Sequence, residues 1–237
     1  MDTVNPIFKS SPRSEVLAGA KAIFPLVVGA IPFGIIFGTL AAGSGLSFAG
    51  TLAMSAFVFA GSSQFIAIGL LAAGTAVPMI ILTTVVVNLR HLLYAVSLVP
   101  HLQKLSHFWK LPLGFLLTDE AFAVAIVRYD QRDPSPYKHW YHLGSSLFMY
   151  ANWVLCTFIG LTVGQRIPNA ASWGLDFAMS VTFISMVIPY VKNYAMVITI
   201  GVSGLTALLA HGLPHQLGLM VAAVAGITAG IIAQQTQ

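Results

Sequence analysis

No charged residue occurs between Lys21 and Arg90. An uncharged, mainly apolar run of that length exceeds what a water-soluble core can absorb, and it is long enough for more than two membrane crossings at about 20 residues each. The rest of the chain agrees. Only 8% of its 237 residues are charged and 57% are hydrophobic, against about 25% charged in a soluble domain. The apolar runs are long and continuous, not alternating segments of about ten residues, so the spans are helices and not barrel strands. The expected fold is an all-α integral membrane protein, a polytopic helical bundle with broken or kinked helices near mid-membrane. The lone Cys156 excludes an internal disulfide. The net charge of +4 comes mainly from basic loops, which points to orientation in an anionic bilayer and not to nucleic acid.

The organisation read from hydropathy is a cytoplasmic tail over 1–16, one transmembrane domain over 17–233 and a short C-terminal tail over 234–237. The tail carries no signal-peptide pattern. About eight spans are expected, near 17–42, 50–72, 76–99, 112–128, 141–164, 173–191, 194–210 and 215–233, with seven as the alternative count. Pro25 and Pro32, with Gly34 after them, predict a kink or break in the first. Eight spans with the N-terminus inside put Lys9, Arg13, Lys21, Arg128, Arg132, Lys138 and Lys192 on the cytoplasmic side, and Lys104, Lys110 and Arg166 outside. That imbalance favours cytoplasmic N- and C-termini. Trp109, Trp140, Tyr141, Trp173, Tyr190 and Tyr194 fall near span ends, as an interfacial belt requires. The only internal echo, Leu52-Ala53-Met54-Ser55 and Phe177-Ala178-Met179-Ser180, is at chance level.

The stretch Val87-Asn88-Leu89-Arg90-His91-Leu92-Leu93-Tyr94 lies inside the third span. An arginine at that depth costs about 2.5–3.5 kcal/mol on insertion scales, so it needs a partner or a watered cavity. Arg90 is ten residues before Pro100, about 15 Å along a helix, and Asp119 and Glu120 lie about 10–12 Å beyond Pro112. Antiparallel neighbours would bring the cation and the acids to similar depth. Only one acid can face Arg90, because adjacent helix residues diverge by about 100°; the other is free to titrate. Phe59-Ala60-Gly61-Ser62-Ser63-Gln64 is a small, polar stretch at mid-depth, and its Gly61-Ser62-Ser63-Gln64 part is readable either as an unwound segment lining a cavity or as close helix packing. Gly34/Gly38, Gly160/Gly164 and Gly226/Gly230 read as packing seams. His91 reads as a proton carrier or as a structural histidine. Gly201-Val202-Ser203-Gly204 has the short pattern of rhomboid-type intramembrane proteases, but His211 and His215 precede the last span instead of lying in it. No metalloprotease helix motif, phosphate-binding loop or cysteine cluster occurs. The chain is therefore read as a non-enzyme with no metal and no cofactor.

Taken together, these stretches resemble the AzlC family, the large subunits of two-component branched-chain amino-acid exporters. The likeness is carried by Pro32–Gly38, Phe59–Phe65, Val87–Tyr94, Thr118-Asp119-Glu120-Ala121-Phe122-Ala123 and the glycine-rich C-terminal span. The most specific piece is Asn-Leu-Arg-His, followed one helix later by Thr-Asp-Glu. The resemblance implies export of valine, leucine and isoleucine, and of methionine as a further candidate. It also implies a small, hydrophobic AzlD-type membrane subunit as partner, and location in the cytoplasmic membrane. It brings no site assignment. The chemistry of an aliphatic zwitterion supplies one. Gly61, Ser62, Ser63, Gln64, Asn88, Arg90 and Tyr94 are the substrate-binding candidates, with Phe59, Phe65 and Tyr94 as apolar walls. Asp119, Glu120 and His91 are the proton-coupling candidates. The rival reading is a channel or structural membrane subunit.

Overall fold

The computed structural model describes residues 11–133, 135–164, 184, 188, 191–213 and 217–235. The described residues form helices and connections, without strands. The frame is a pair of long helices, α1 (Pro12–Gly43) and α7 (Lys138–Val163). α1 begins on a reciprocal cap. Ser11 Oγ accepts from Ser14 N at 3.2 Å, Ser14 Oγ accepts from Ser11 N at 2.9 Å, and Pro12 occupies the first turn. α1 thus starts inside the segment read as a tail.

The two helices run parallel along a glycine seam. Gly19 meets Tyr141, Gly34 lies 2.6 Å (from an idealised Cβ) from Cys156 Cβ, and Gly38 abuts Thr157. From the other side, Gly144 meets Val16, Gly160 meets Ile35 and Gly164 meets Thr39. At these positions a methyl group would collide with the partner helix, mostly with its backbone, which is how small residues hold membrane helices together. The expected break at Pro25 and Pro32 is absent: α1 runs unbroken through both. A proline inside a membrane helix is tolerated where neighbours re-satisfy the freed groups.

The breaks fall elsewhere. The expected span 50–72 is two short helices, α2 (Phe48–Phe57) and α3 (Gly61–Ala72). They form a hairpin, not a crossing. α2 leaves the C-terminal end of α1, and its Phe48 ring packs 6.1 Å from Phe158. At the tip, Phe59 packs 4.9 Å from Tyr150, which lies deeper on α7. α3 then returns: Gln64 Nε2 donates to Ser55 Oγ at 3.1 Å, and Met54 packs on the cluster of Ala67, Leu70 and Ile80. Phe59 adopts φ 43°, a strained left-handed conformation for an aromatic residue. Gly74, at φ 69°, turns the chain into α4 (Val77–Leu102).

α4 returns to the end where α1 starts. The next expected span, 112–128, is again a hairpin of half-length helices, α5 (His107–Phe115) and α6 (Asp119–Asp130). α6 is parallel to α4 and not antiparallel as expected: Arg90 pairs with Asp119, and eleven residues on, His101 Nε2 sits 3.5 Å from Asp130 Oδ1. The Trp109 ring lies 4.6 Å from His139 and from Trp140 at the start of α7. The link 103–106 and the loop 131–137 therefore lie at one end of the bundle, not at opposite ends. That end carries Arg13, Lys104, Lys110, Arg128, Arg132 and Lys138; the connections 44–47 and 73–76 at the other end hold no Lys or Arg. Arg128 binds Glu15 (2.6 and 3.1 Å) and Asp133 (2.7 and 2.9 Å), and Lys138 binds Asp133 at 3.0 Å. Glu15, read from sequence as tail, is buried in this cluster.

Only α1, α4 and α7 are long and apolar enough to cross a membrane among the described residues, so a count of about eight crossing helices does not describe this part of the chain. A helix followed by a half-depth hairpin occurs twice, α1 with α2–α3 and then α4 with α5–α6, in opposite directions. The last described elements are α8 (Tyr194–Leu209) and α9 (Leu217–Gln235), packed on each other through Gly226, 2.7 Å (from an idealised Cβ) from Ser203 Cβ, and Gly230 against Thr199. The expected span at 173–191, with Asp176, and the loop Arg166–Asn169 lie outside the described residues, apart from isolated positions.

Candidate functional site

The two hairpin tips, one entering from each end, meet at a cavity of about 240 Å³. Its walls are Pro25, Gly29 and Phe33 of α1, Met149 and Trp153 of α7, Phe59 to Ser62 and Phe65 at the first tip, Arg90 and His91 of α4, and Thr118 to Glu120 at the second tip. This volume lies below the roughly 300–1,000 Å³ of drug-sized pockets and suits a small metabolite.

The two helix starts on this cavity differ. α3 begins at Gly61 with no side-chain cap on Ala60, so its first N–H groups and the positive end of its dipole are offered to the cavity. Gly61 lies 2.9 Å (from an idealised Cβ) from the Trp153 ring. α6 is capped: Thr118 Oγ1 accepts from Ala121 N at 3.2 Å, and its first turn carries Asp119 and Glu120. Arg90 spans the two. Its Nη2 donates to Ser62 Oγ, and its Nη1 lies 3.1 Å from Asp119 Oδ2. Asp119 Oδ1 also accepts from Tyr94 OH at 2.6 Å. Glu120 lines the cavity with no salt bridge among the described residues. The sequence expectation that one acid faces Arg90 and the other is left over corresponds to this geometry, with Asp119 as the partner.

The other candidates divide. Gly61, Ser62, Arg90, His91, Asp119 and Glu120 line the cavity. Tyr94 acts on it through Asp119. Ser63 and Gln64 are turned away and fully buried. Ser63 Oγ donates to Ala60 O at 2.9 Å. Gln64 joins a polar network behind the tip: its Nε2 donates to Ser55, its Oε1 accepts from Trp153 Nε1 at 3.0 Å, and Ser55 Oγ lies 2.8 Å from Thr157 Oγ1. The unwound stretch is Val58-Phe59-Ala60, three residues before the polar patch, which forms the first turn of α3. Asn88 contributes its backbone carbonyl, 3.2 Å from His91 Nδ1.

Sequence reasoning missed Gly29, Phe33, Thr118, Met149 and Trp153. Two signals were available. Thr118-Asp119-Glu120 has the form of a helix N-terminus, a capping threonine with acids in the first turn. Trp153 sits deep in an apolar run, away from the interface where membrane tryptophans concentrate. Among the described residues no cluster of His, Cys, Asp or Glu could hold a metal ion.

Comparison with known proteins gives a consistent picture. The AzlC protein family model matches residues 25–167, a stretch that contains both hairpins and the whole cavity. The branched-chain amino acid transport protein AzlC of Bacillus subtilis is 29% identical over 226 residues, covering 91% of this chain and 87% of that protein. The inner membrane protein YgaZ of Escherichia coli is 28% identical over 235 residues, 96% of this chain and 93% of that one. An uncharacterized membrane protein of Archaeoglobus fulgidus is 31% identical over 207 residues, 86% and 88%. No solved structure matches the chain.

Proposed function

This chain belongs to the AzlC family, and from that premise we propose that it carries branched-chain amino acids out of the cell through the central cavity. The observation that carries the reading is the pair of opposed helix starts on one cavity, one uncapped and one acidic, joined by Arg90. A zwitterion has a charge for each. The substrate carboxylate binds the N–H groups at Gly61 and Ser62 together with the Arg90 guanidinium. The ammonium binds Asp119 or Glu120. The aliphatic side chain lies among Phe33, Phe59, Phe65 and Trp153. Interrupted helices that aim their ends at mid-membrane are a recurrent way of binding amino acids in carriers.

Coupling follows from the competition for Arg90. The guanidinium is held by Asp119. An arriving carboxylate takes part of that partner's place and frees Asp119 for the ammonium. Glu120 takes up or releases the coupling proton, and His91, on the wall of the same cavity, relays that proton. The hairpins enter from opposite ends, so opening one exposes the cavity to one side while the other keeps it closed. The end rich in Lys and Arg is cytoplasmic by the positive-inside rule, which puts the start of α1 inside. The family further implies a small, hydrophobic AzlD-type subunit, and the protein works in the cytoplasmic membrane.

Gly29→Leu tests the reading. Gly29 lines the cavity, and an added Cβ there meets nothing within 4 Å, so the larger side chain fills the space without displacing the fold. Vesicles holding the chain and its small subunit should show counterflow of labelled leucine. Gly29→Leu should abolish it at unchanged protein level, and the chain alone should transport weakly or not at all. Leucine flux without exchange would establish a channel instead, and undiminished counterflow in Gly29→Leu would place the substrate outside this cavity.

A further inference from the structure

The Trp153 wall of the central cavity is held by a closed loop of hydrogen bonds. Trp153 is largely buried, and the three polar side chains that complete the loop are fully buried. Trp153 Nε1 donates to Gln64 Oε1 at 3.0 Å, and Gln64 Nε2 donates to Ser55 Oγ at 3.1 Å. Ser55 Oγ lies 2.8 Å from Thr157 Oγ1, which donates to the Trp153 carbonyl at 2.9 Å. An indole N–H only donates, so the Gln64 amide turns its oxygen to Trp153 and its nitrogen to Ser55. The one Thr157 hydroxyl hydrogen goes to the Trp153 carbonyl, so Ser55 donates to Thr157. The loop leaves Trp153 by its side chain, passes through α3 and α2, and returns to its backbone.

Apolar contacts fix the indole from two more sides. The Phe37 ring stacks 6.1 Å away at 26°, is itself fully buried, and meets Phe65 edge-on at 5.7 Å. The benzo edge of the indole rests on Gly61, 2.9 Å from an idealised Cβ there. Gly61 is also where α3 offers its first N–H groups to the cavity. The carboxylate anchor and the wall are therefore built on one helical turn: Gly61 touches the indole, and Gln64, three residues on, holds its nitrogen. The indole cannot swing back without stranding the fully buried Gln64 Oε1, a penalty of roughly tenfold in affinity.

We propose that Trp153 is a specificity-determining residue, with Gln64, Ser55 and Thr157 as its positioning residues: the fixed indole bars aromatic amino acids and leaves the cavity to aliphatic ones. The other walls do not make this choice. Phe33, Phe59 and Phe65 receive a phenyl ring edge-to-face as readily as an aliphatic chain. Selection against the larger, rigid side chain therefore comes from space. The inference rests on the export reading and names what sets its substrate class.

Competition in counterflow tests it. Vesicles holding the chain and its small subunit exchange labelled leucine, with unlabelled leucine or phenylalanine as competitor. The half-inhibitory concentrations give a phenylalanine-to-leucine ratio. In the wild type phenylalanine should be weaker by about tenfold or more, the scale on which an apolar pocket discriminates by size. Trp153→Phe removes the benzo edge and the N–H, and should lower the ratio by about tenfold. Gln64→Leu keeps the indole but unties it, and should lower the ratio by about threefold, the scale of one neutral hydrogen bond. Trp153→Phe combined with Gln64→Leu leaves no stranded amide oxygen, and it decides the matter if Trp153→Phe alone folds poorly. A merely structural Trp153 predicts weaker binding of both amino acids together, with the ratio unchanged in all three variants. That result, or a wild type that takes phenylalanine as well as leucine, overturns the specificity role and leaves the central cavity standing. Absence of leucine counterflow in the wild type overturns both.

Discussion

Breaking the Arg90–Asp119 pair from its two sides should give unequal results, because the partners are supported differently. The side chains are 25% and 18% exposed, so the pair lies between a surface bridge, worth up to about 1 kcal/mol, and a buried one, whose breaking costs about 3–5 kcal/mol. In Arg90→Ala the remaining Asp119 keeps the Tyr94 hydroxyl and a place in the first turn of α6, next to the positive end of the helix. It can also protonate. The loss should be about 2 kcal/mol, near the low end for charged hydrogen bonds. In Asp119→Asn the guanidinium loses its counter-charge and is left with neutral acceptors, the amide oxygen and Ser62, while its Nε already lacks a partner among the described residues. Arginine does not deprotonate, so this variant should cost about 3–5 kcal/mol. At about 2–4 °C per kcal/mol for a chain of this size, Arg90→Ala should lower the unfolding midpoint of the purified complex by roughly 4–8 °C and Asp119→Asn by more. The double variant should be more stable than Asp119→Asn alone, since no stranded charge remains. All three should fail to exchange leucine. Equal or inverted destabilisation would refute the account of the pair's surroundings, and recovery of leucine exchange in the double variant would refute its role in transport.

Glu120→Gln removes a carboxyl that makes no salt bridge among the described residues, so it should leave the unfolding midpoint almost unchanged while shifting the pH profile of exchange; an unshifted profile would remove Glu120 from proton coupling. Gly160→Ala puts a methyl group into the Ile35 carbonyl and against Gly38, and should cost about 1–3 kcal/mol or more as an overpacked contact, read as lower yield and midpoint; wild-type behaviour would dissolve the rigid seam. The Arg128 guanidinium, with Lys138 adding to it, holds the Asp133 carboxyl below its ordinary range against the opposing effect of burial. A depressed folded value stabilises above the unfolded pKa of about 3.9 and is lost as pH falls below it. The midpoint should therefore decline on acidification below about pH 4, less steeply in Asp133→Asn; identical acid profiles would contradict the cluster. Single cysteines at 104 and 132, in a chain with Cys156 replaced by serine, should react with an impermeant reagent from the same side, and one at 75 from the other. Labelling of 104 and 132 from opposite sides would restore α5–α6 as a crossing.

The sequence disclosed the centre of this molecule better than its path. Depth counted from Pro100 and Pro112 brought Arg90 level with Asp119, and the contact exists. The count assumed an antiparallel pair, and α4 and α6 are parallel. The level survived the wrong direction, because residues near the middle of a membrane stay near the middle whichever way the helix runs. Hydropathy fails on direction for the same reason. The stretch 50–72 is long and apolar enough to cross, and nothing in its composition records that it turns back at Val58-Phe59-Ala60. That turn is fixed by contacts distant in sequence: Phe59 against Tyr150, and Gln64 against Ser55 and Trp153. Proline did not mark the breaks. Pro25 and Pro32 sit in a helix held along much of its length by α7, whereas neither real break contains a proline. The glycine pairs on α1 and α7 were legible as seams, because close approach leaves no other residue type room.

The Glu15–Arg128–Asp133–Lys138 cluster fixes the foot of α6 to the starts of α1 and α7, while its other end carries Asp119. α6 is thereby a lever with a pinned fulcrum. Nine residues separate Arg128 from Asp119, an arm of about 14 Å at 1.5 Å per residue. A tilt of about 10° about the foot moves the tip by roughly 2.4 Å at that arm length, enough to carry the 3.1 Å Arg90–Asp119 contact out of ion-pair range. The pivot of any tilt that would release the central arginine therefore lies at the rim of the protein, where four charged side chains hold one helix end.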